Sequence, residues 1–353
     1  MILRPAIAHQ PDSVELRLAD PLAARALLLR HRPDVIQFLA ERRQTLLDAF
    51  GPDLRQTLLR ADAALMLSLA RMGCRHGSWG DDFHHYHNEN HSLEILDGRI
   101  GRLMQGIGLD ALSGEEWVAL QLFATCHDLR QREQVDFERA VGNNEDASID
   151  ETVRILDLCG FCLREHRGLY LALELMIAGS TFDARPAAAL ARTSYNSAEV
   201  AATGGALAPR LGDHLDRVAP DWRADPQVAR AVHLALIASD LDTANVAEAF
   251  PWLAESASRL CQEREMRSGR RLESAESAQP CVSFLSDGQE RYFFELHRFC
   301  SAEGEATFAA TKADNAPRVR AIAQAMRERF AAGATPASGL EVVREFSRLT
   351  LAA

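Results

Sequence analysis

Four of the twelve histidines in this 353-residue chain fall within eight residues, at His84, His85, His87 and His91. Imidazole nitrogens ligate metal ions and carry protons near neutral pH. Read as a helix, His87 and His91 lie four residues and about 6 Å of rise apart, on one face. One ring can then hold a metal ion while the other reaches a substrate beside it; a solvated surface stretch would use the same residues. A second element is the adjacent pair His127-Asp128, at the end of the apolar run WVALQLFATCHDL. It offers an imidazole nitrogen and a carboxylate to one ion where a helix turn is locally distorted. The third is LALIASDLDTANV, where Asp240 and Asp242 interrupt an apolar helical stretch. A carboxylate there is costly unless it is paired, hydrogen-bonded or on a metal. Together these residues point to a divalent cation.

The elements that must position them read as helices almost throughout, so the expected fold is all-α, a multi-helix bundle. Asp20-Pro21 and Pro33-Asp34 are helix starts, the second helix ending near Gly51. From about Asp53 to Met72, Leu54, Leu58, Ala61, Leu65 and Leu69 recur at helical spacing. Ser113 to Glu116 has the form of a capping box before the run that carries His127-Asp128. The one short strand candidate is Cys281–Leu285. Looser composition marks Thr203–Pro226, Met266–Gln289 and Ala331–Gly339, the second of which reads as a mobile loop. The expected organisation is an N-terminal helical region over residues 1–75 packed on a main domain of residues 76–330, followed by a tail helix in 331–353.

Composition excludes several functions. At 47% hydrophobic and 25% charged the chain is of ordinary globular character. No run of about 18 apolar residues occurs, so a membrane partner is not expected. The N-terminus lacks the pattern of a secretory signal, and the default location is the cytoplasm. A net charge of −11 opposes binding to nucleic acid. Lys312 is the single lysine, which removes a P-loop and argues against Schiff-base chemistry. The seven cysteines read as reduced, mostly buried thiols, with Cys159 and Cys162 as core residues. No G-x-S-x-G, H-E-x-x-H or G-x-G-x-x-G motif carries a competing chemistry.

The order His91, His127-Asp128, Asp240 resembles the H…HD…D ligand order of the HD superfamily of metal-dependent phosphohydrolases. The block Tyr86-His87-Asn88-Glu89-Asn90-His91 is similar to the Y-H-N-x-x-H signature of class I cyclic-nucleotide phosphodiesterases. The resemblance spans roughly residues 80–300. It implies that His91, His127, Asp128 and Asp240 bind the tighter ion (Zn²⁺, or Mn²⁺ or Fe²⁺), with Asp128 bridging to a second, Mg²⁺ or Mn²⁺. It implies His87 as general acid, oriented by Glu151, and Tyr86 and Asn88 near the substrate. By the same resemblance Gln289 reads a base edge and Tyr292 and Phe293 form an aromatic clamp. The chain departs from the pattern at Gln131, where the family has a second histidine, and at Asp242, Thr243 and Ala244, where it has Ser, Asn and Pro.

Two divalent ions against the carboxylates of Asp128 and Asp240 would leave a positive hole in an acidic protein, drawing in a small anionic nucleotide. A water between the ions, its pKa lowered, would attack phosphorus in line while His87 protonates the departing ribose oxygen. The expected function is hydrolysis of a 3′,5′-cyclic nucleotide (cAMP or cGMP) to the 5′-monophosphate. Gln131 keeps open another HD-type phosphohydrolase, acting on a nucleoside monophosphate, an alarmone or a dinucleotide. A catalytically silent nucleotide-binding or scaffold protein is the remaining alternative.

Overall fold

A computed structural model describes residues 2–3, 9–133, 141–183, 205–331 and 336–352. Residues 203–204 and 332–335, within two of the looser stretches, lie outside the described residues. Among the described residues the chain is helical, apart from a two-residue antiparallel pairing of Phe182–Asp183 with Gly205–Ala206. It forms two compact units, divided near residues 83–87, 242–243 and 299–304. The expected boundaries at 75 and 330 do not coincide with these.

The first unit holds α1 (Ser13–Arg17), α2 (Pro21–His31), α3 (Pro33–Phe50), α4 (Arg55–Arg75), α5 (Glu89–Leu93), α6 (Ile100–Ile107), α7 (Gly114–Cys126), α8 (Asn143–Leu158), α9 (Arg167–Gly179), α10 (Leu211–Val218) and α11 (Pro226–Thr243). The starts follow local chemistry. Asp20 caps α2 by accepting from the Leu22 amide, and Ser113 with Glu116 closes a reciprocal capping box on α7. Gly51 ends α3 at φ 85°, a left-handed conformation that a Cβ would resist. Helix α4 is the centre of this unit, packing on α2, α7 and α8. Its Leu58, Ala61, Leu65 and Leu69 are buried, as the spacing predicts. Beyond its first turn helix α7 is buried all round, with Trp117 wholly buried and its indole donating to the Leu109 carbonyl at 2.8 Å.

A buried charge network ties α4 to α8 and to the start of the chain. Arg71 Nη1 donates to Glu151 at 3.1 Å, and Arg75 Nη2 donates to both oxygens of the same carboxylate. Arg75 also pairs with Asp12, the N-cap of α1, and Arg154 with Glu15. Burial pushes the Glu151 carboxyl up, and the Arg75 and Arg71 guanidinium groups oppose that.

The second unit holds α12 (Phe250–Arg267), α13 (Ala278–Ser283), α14 (Gln289–Arg291), most of α15 (Ala302–Arg329) and α16 (Gly339–Leu351), together with residues 84–86. Helix α16 packs on α12 and α13. Cys281–Leu285 is helical, not a strand: its first three residues end α13 and the next two open a π-helical turn, Phe284–Gly288. Most of Met266–Gln289, expected as a loop, is correspondingly ordered by α12, a 3-10 turn, α13 and that π turn. Small and β-branched residues had the look of a strand, yet Cys281, Val282 and Leu285 bury one helical face.

All seven cysteines are free thiols. No helix of the described residues is long and apolar enough to cross a membrane.

Candidate metal centre

Three segments of the first unit bring ligand atoms together. His91 is the third residue of α5, whose N-cap is Asn88. Asn88 accepts from the Asn90 amide at 2.9 Å, so the helix starts at Glu89 and His87 lies before it. His87 and His91 therefore do not share a helical face as the spacing predicts. The loop carries His87 back instead, to a ring-to-ring distance of 6.1 Å from His91 in a T-shaped arrangement. Capping by the buried Asn88 side chain ends the helical run before it reaches His87.

His127 is the C-cap of α7 and Asp128 the residue after it. The turn expected at the His-Asp pair is present there. His127 Nδ1 lies 3.2 Å from the Phe123 carbonyl, an acceptor only, so Nδ1 carries the proton and the Nε2 lone pair is left for a ligand. That nitrogen stands 3.0 Å from Asp128 Oδ2 and 3.3 Å from Asp242 Oδ1. His91 Nε2 stands 3.2 Å from the same Asp242 oxygen and 3.7 Å from Asp128 Oδ2. Ligand atoms of His91, His127 and Asp242 all lie within 4.8 Å of one another.

Asp240 is not part of this cluster, and the third segment contributes Asp242 in its place. Residues two apart on a helix point about 200° from one another, so one carboxylate faces the imidazoles and the other faces away. Asp240 accepts from the amides of Cys300 and Ser301 at 2.6 and 2.8 Å and from the Ser301 hydroxyl at 2.6 Å. Burial pushes it up to about 6, against the pull of those donors. Its place in an apolar helix is accounted for by hydrogen bonding, not by a cation.

The electrostatics fit a cation site. Burial acts to lower the His127 imidazole, but the Asp128 and Asp242 carboxylates outweigh it and hold the ring well above the ordinary histidine range. Burial acts to raise Asp128, and His127 and His87 pull it below the usual carboxylate range. Asp242 is held low in the same way, by His127 and His91 against burial. Asp128 and Asp242, each partly exposed, both lie within 3.3 Å of one imidazole nitrogen, where a cation or a protonated ring would offset their charge. Two imidazole nitrogens and two carboxylate oxygens are the donor set of Zn²⁺, Mn²⁺ or Fe²⁺. His91 is 1% exposed and His127 3%, whereas His87 is half-buried and open to solvent.

The other expected site residues are placed differently. Glu151, expected to orient His87, is bonded to Arg71 and Arg75 and joins helices. Asn88 acts as a helix cap. Tyr86 belongs to the second unit, where its amide donates to Glu263 at 2.8 Å and Arg259 lies over its ring. Gln289 opens α14 in that unit, half-buried. Phe293 is 3% exposed and packs edge-on against Phe294, making it a core residue and not a clamp. Tyr292 donates from its hydroxyl to Asn245 at 3.4 Å. Gln131, the departure from the expected histidine, donates from Nε2 to Asp128 Oδ1 at 2.7 Å. No family model, curated protein or solved structure matches the chain.

Proposed function

We propose that this chain is a cytoplasmic metal-dependent phosphohydrolase that opens a 3′,5′-cyclic nucleotide to its 5′-monophosphate. The reading rests on one observation: His91, His127, Asp128 and Asp242 bring two buried imidazole nitrogens and two partly exposed carboxylates together, with His87 beside them. A divalent ion bound there supplies Lewis-acid polarisation of a phosphoryl oxygen and an activated water.

The chain's own residues do the rest. His91 and His127 present Nε2, His127 being oriented by the Phe123 carbonyl behind it. Asp128 and Asp242 would hold a bound cation and offset its charge. His87, half-buried, would pass a proton from a ring nitrogen to the departing ribose oxygen.

A second reading is favoured by Gln131. Its amide engages Asp128 Oδ1, the oxygen that would otherwise reach a second ion, which suits a single-ion phosphohydrolase acting on a nucleoside monophosphate. Purified chain with Mn²⁺, offered cAMP, cGMP and a set of nucleoside monophosphates, separates the two. A cyclic substrate gives 5′-monophosphate without inorganic phosphate, a monophosphate gives phosphate, and turnover of neither contradicts both. His91→Ala is expected to abolish whichever activity is found.

A further inference from the structure

Arg99 is wholly buried although it carries a charge, and such a group is retained only where its donors are used. It closes a π-helical turn, Glu94–Arg99, that continues α5 directly beyond His91. A π turn bonds residues five apart and so brings positions 94 and 99 onto one face, which an α-helix would not. From that face Arg99 Nη1 donates to the carbonyl of Leu241 at 3.0 Å and to that of Asp242 at 2.5 Å. Its Nη2 lies 3.9 Å from Glu94 Oε2, and the same oxygen lies 3.8 Å from His91 Nδ1. One guanidinium therefore spans from the peptide backbone of Asp242 to the carboxylate behind His91.

We propose that Arg99 is the positioning residue of the metal centre, fixing the last turn of α11 so that Asp242, and not Asp240, faces the imidazoles. The two carbonyls it binds lie at the C-terminal end of α11, where the last carbonyls lack amide partners within the helix. A buried cation donating to both holds the backbone at residues 241–242 in one orientation, and the Asp242 side chain inherits it. The Glu94 carboxylate, drawn toward the guanidinium, backs His91 on the ring edge away from the ligand nitrogen. The inference rests on the metal-centre reading.

The test is Mn²⁺ affinity, measured by titration of the full chain, with thermal stability followed in parallel. Arg99→Met is expected to weaken Mn²⁺ binding about 10- to 100-fold, the usual effect of losing a group that orients a ligand. Arg99→Lys, which can still donate to both carbonyls, is expected to recover part of that loss. Leu96→Ala serves as the control for mere destabilisation, because Leu96 is wholly buried on the same turn and its apolar side chain has no group to donate to either carbonyl. It should lower the melting temperature and leave Mn²⁺ affinity near wild type. Arg99→Met binding Mn²⁺ as wild type does, or Leu96→Ala losing affinity equally, overturns the inference. Should Arg99→Met not fold, Arg99→Gln, which is too short and uncharged to serve both carbonyls, overturns it as well if it binds Mn²⁺ with full wild-type affinity. Failure of the wild-type chain to bind Mn²⁺ at all would instead overturn the metal centre.

Discussion

In the proposed reaction, His87 is the residue whose chemistry would separate turnover from binding. It lies outside the cluster that can hold an ion, half-buried and one ring away from His91. His87→Gln is therefore expected to lower kcat for the preferred substrate by about 10²- to 10⁴-fold, with Mn²⁺ affinity unchanged. An equal loss of both would make it a ligand. At this scale much of the centre was legible in the sequence: His91, His127 and Asp128 are the residues that metal-ligand chemistry singles out. Asp242 was not, because two aspartates in one apolar helix look alike until something fixes the rotation of the helix. That information lies in the Cys300 and Ser301 donors around Asp240 and in Arg99, both distant in sequence. Glu151 was misplaced for a similar reason, since a buried carboxylate tells nothing of which cation it meets.

Helices α4 and α8 meet through Glu151, whose carboxylate is wholly buried between Arg71 and Arg75. Removing one member of such a group leaves uncompensated charge in a dry interior. Glu151→Gln is expected to lower folding stability by about 3–5 kcal/mol, read by denaturant unfolding, while Mn²⁺ affinity stays near wild type. A loss of affinity with stability intact would restore Glu151 to the site. Helix starts are where the sequence was most informative, since Asp20, Pro33 and Ser113 act within one turn of themselves. The start of α5 was read one turn too early. The resemblance places Asn88 near the substrate, whereas its side chain caps the helix and leaves His87 on the loop. The π turns escaped as well, because their extra residue is set by packing and not by local propensity.

At the scale of the whole molecule, stability is expected to carry a pH signature from the second unit. Lys312 donates at 3.0 Å to both Nδ1 and the carbonyl of His297, so that nitrogen must stay unprotonated. Burial, followed by the Lys312 charge, pushes His297 down to about 3 from an ordinary 6.5. Below 6.5 the unfolded chain binds this proton and the folded chain does not. The contribution is thus complete above pH 6.5 and is lost as pH falls toward 3, at a slope of at most about 1.4 kcal/mol per pH unit. His297→Asn should remove that part of the acid sensitivity; identical slopes in the two proteins would contradict the neutral, buried imidazole.

The metal centre itself is tested most directly by dialysing the full-length chain, its Asp242→Asn variant and its Asp240→Asn variant against Mn²⁺ and counting metal per chain. The expected result is an ion tightly held by the wild type, lost from Asp242→Asn and kept by Asp240→Asn, which should be less stable but metal-loaded. A wild-type chain without bound metal, or an ion that departs with Asp240 and stays without Asp242, would contradict it.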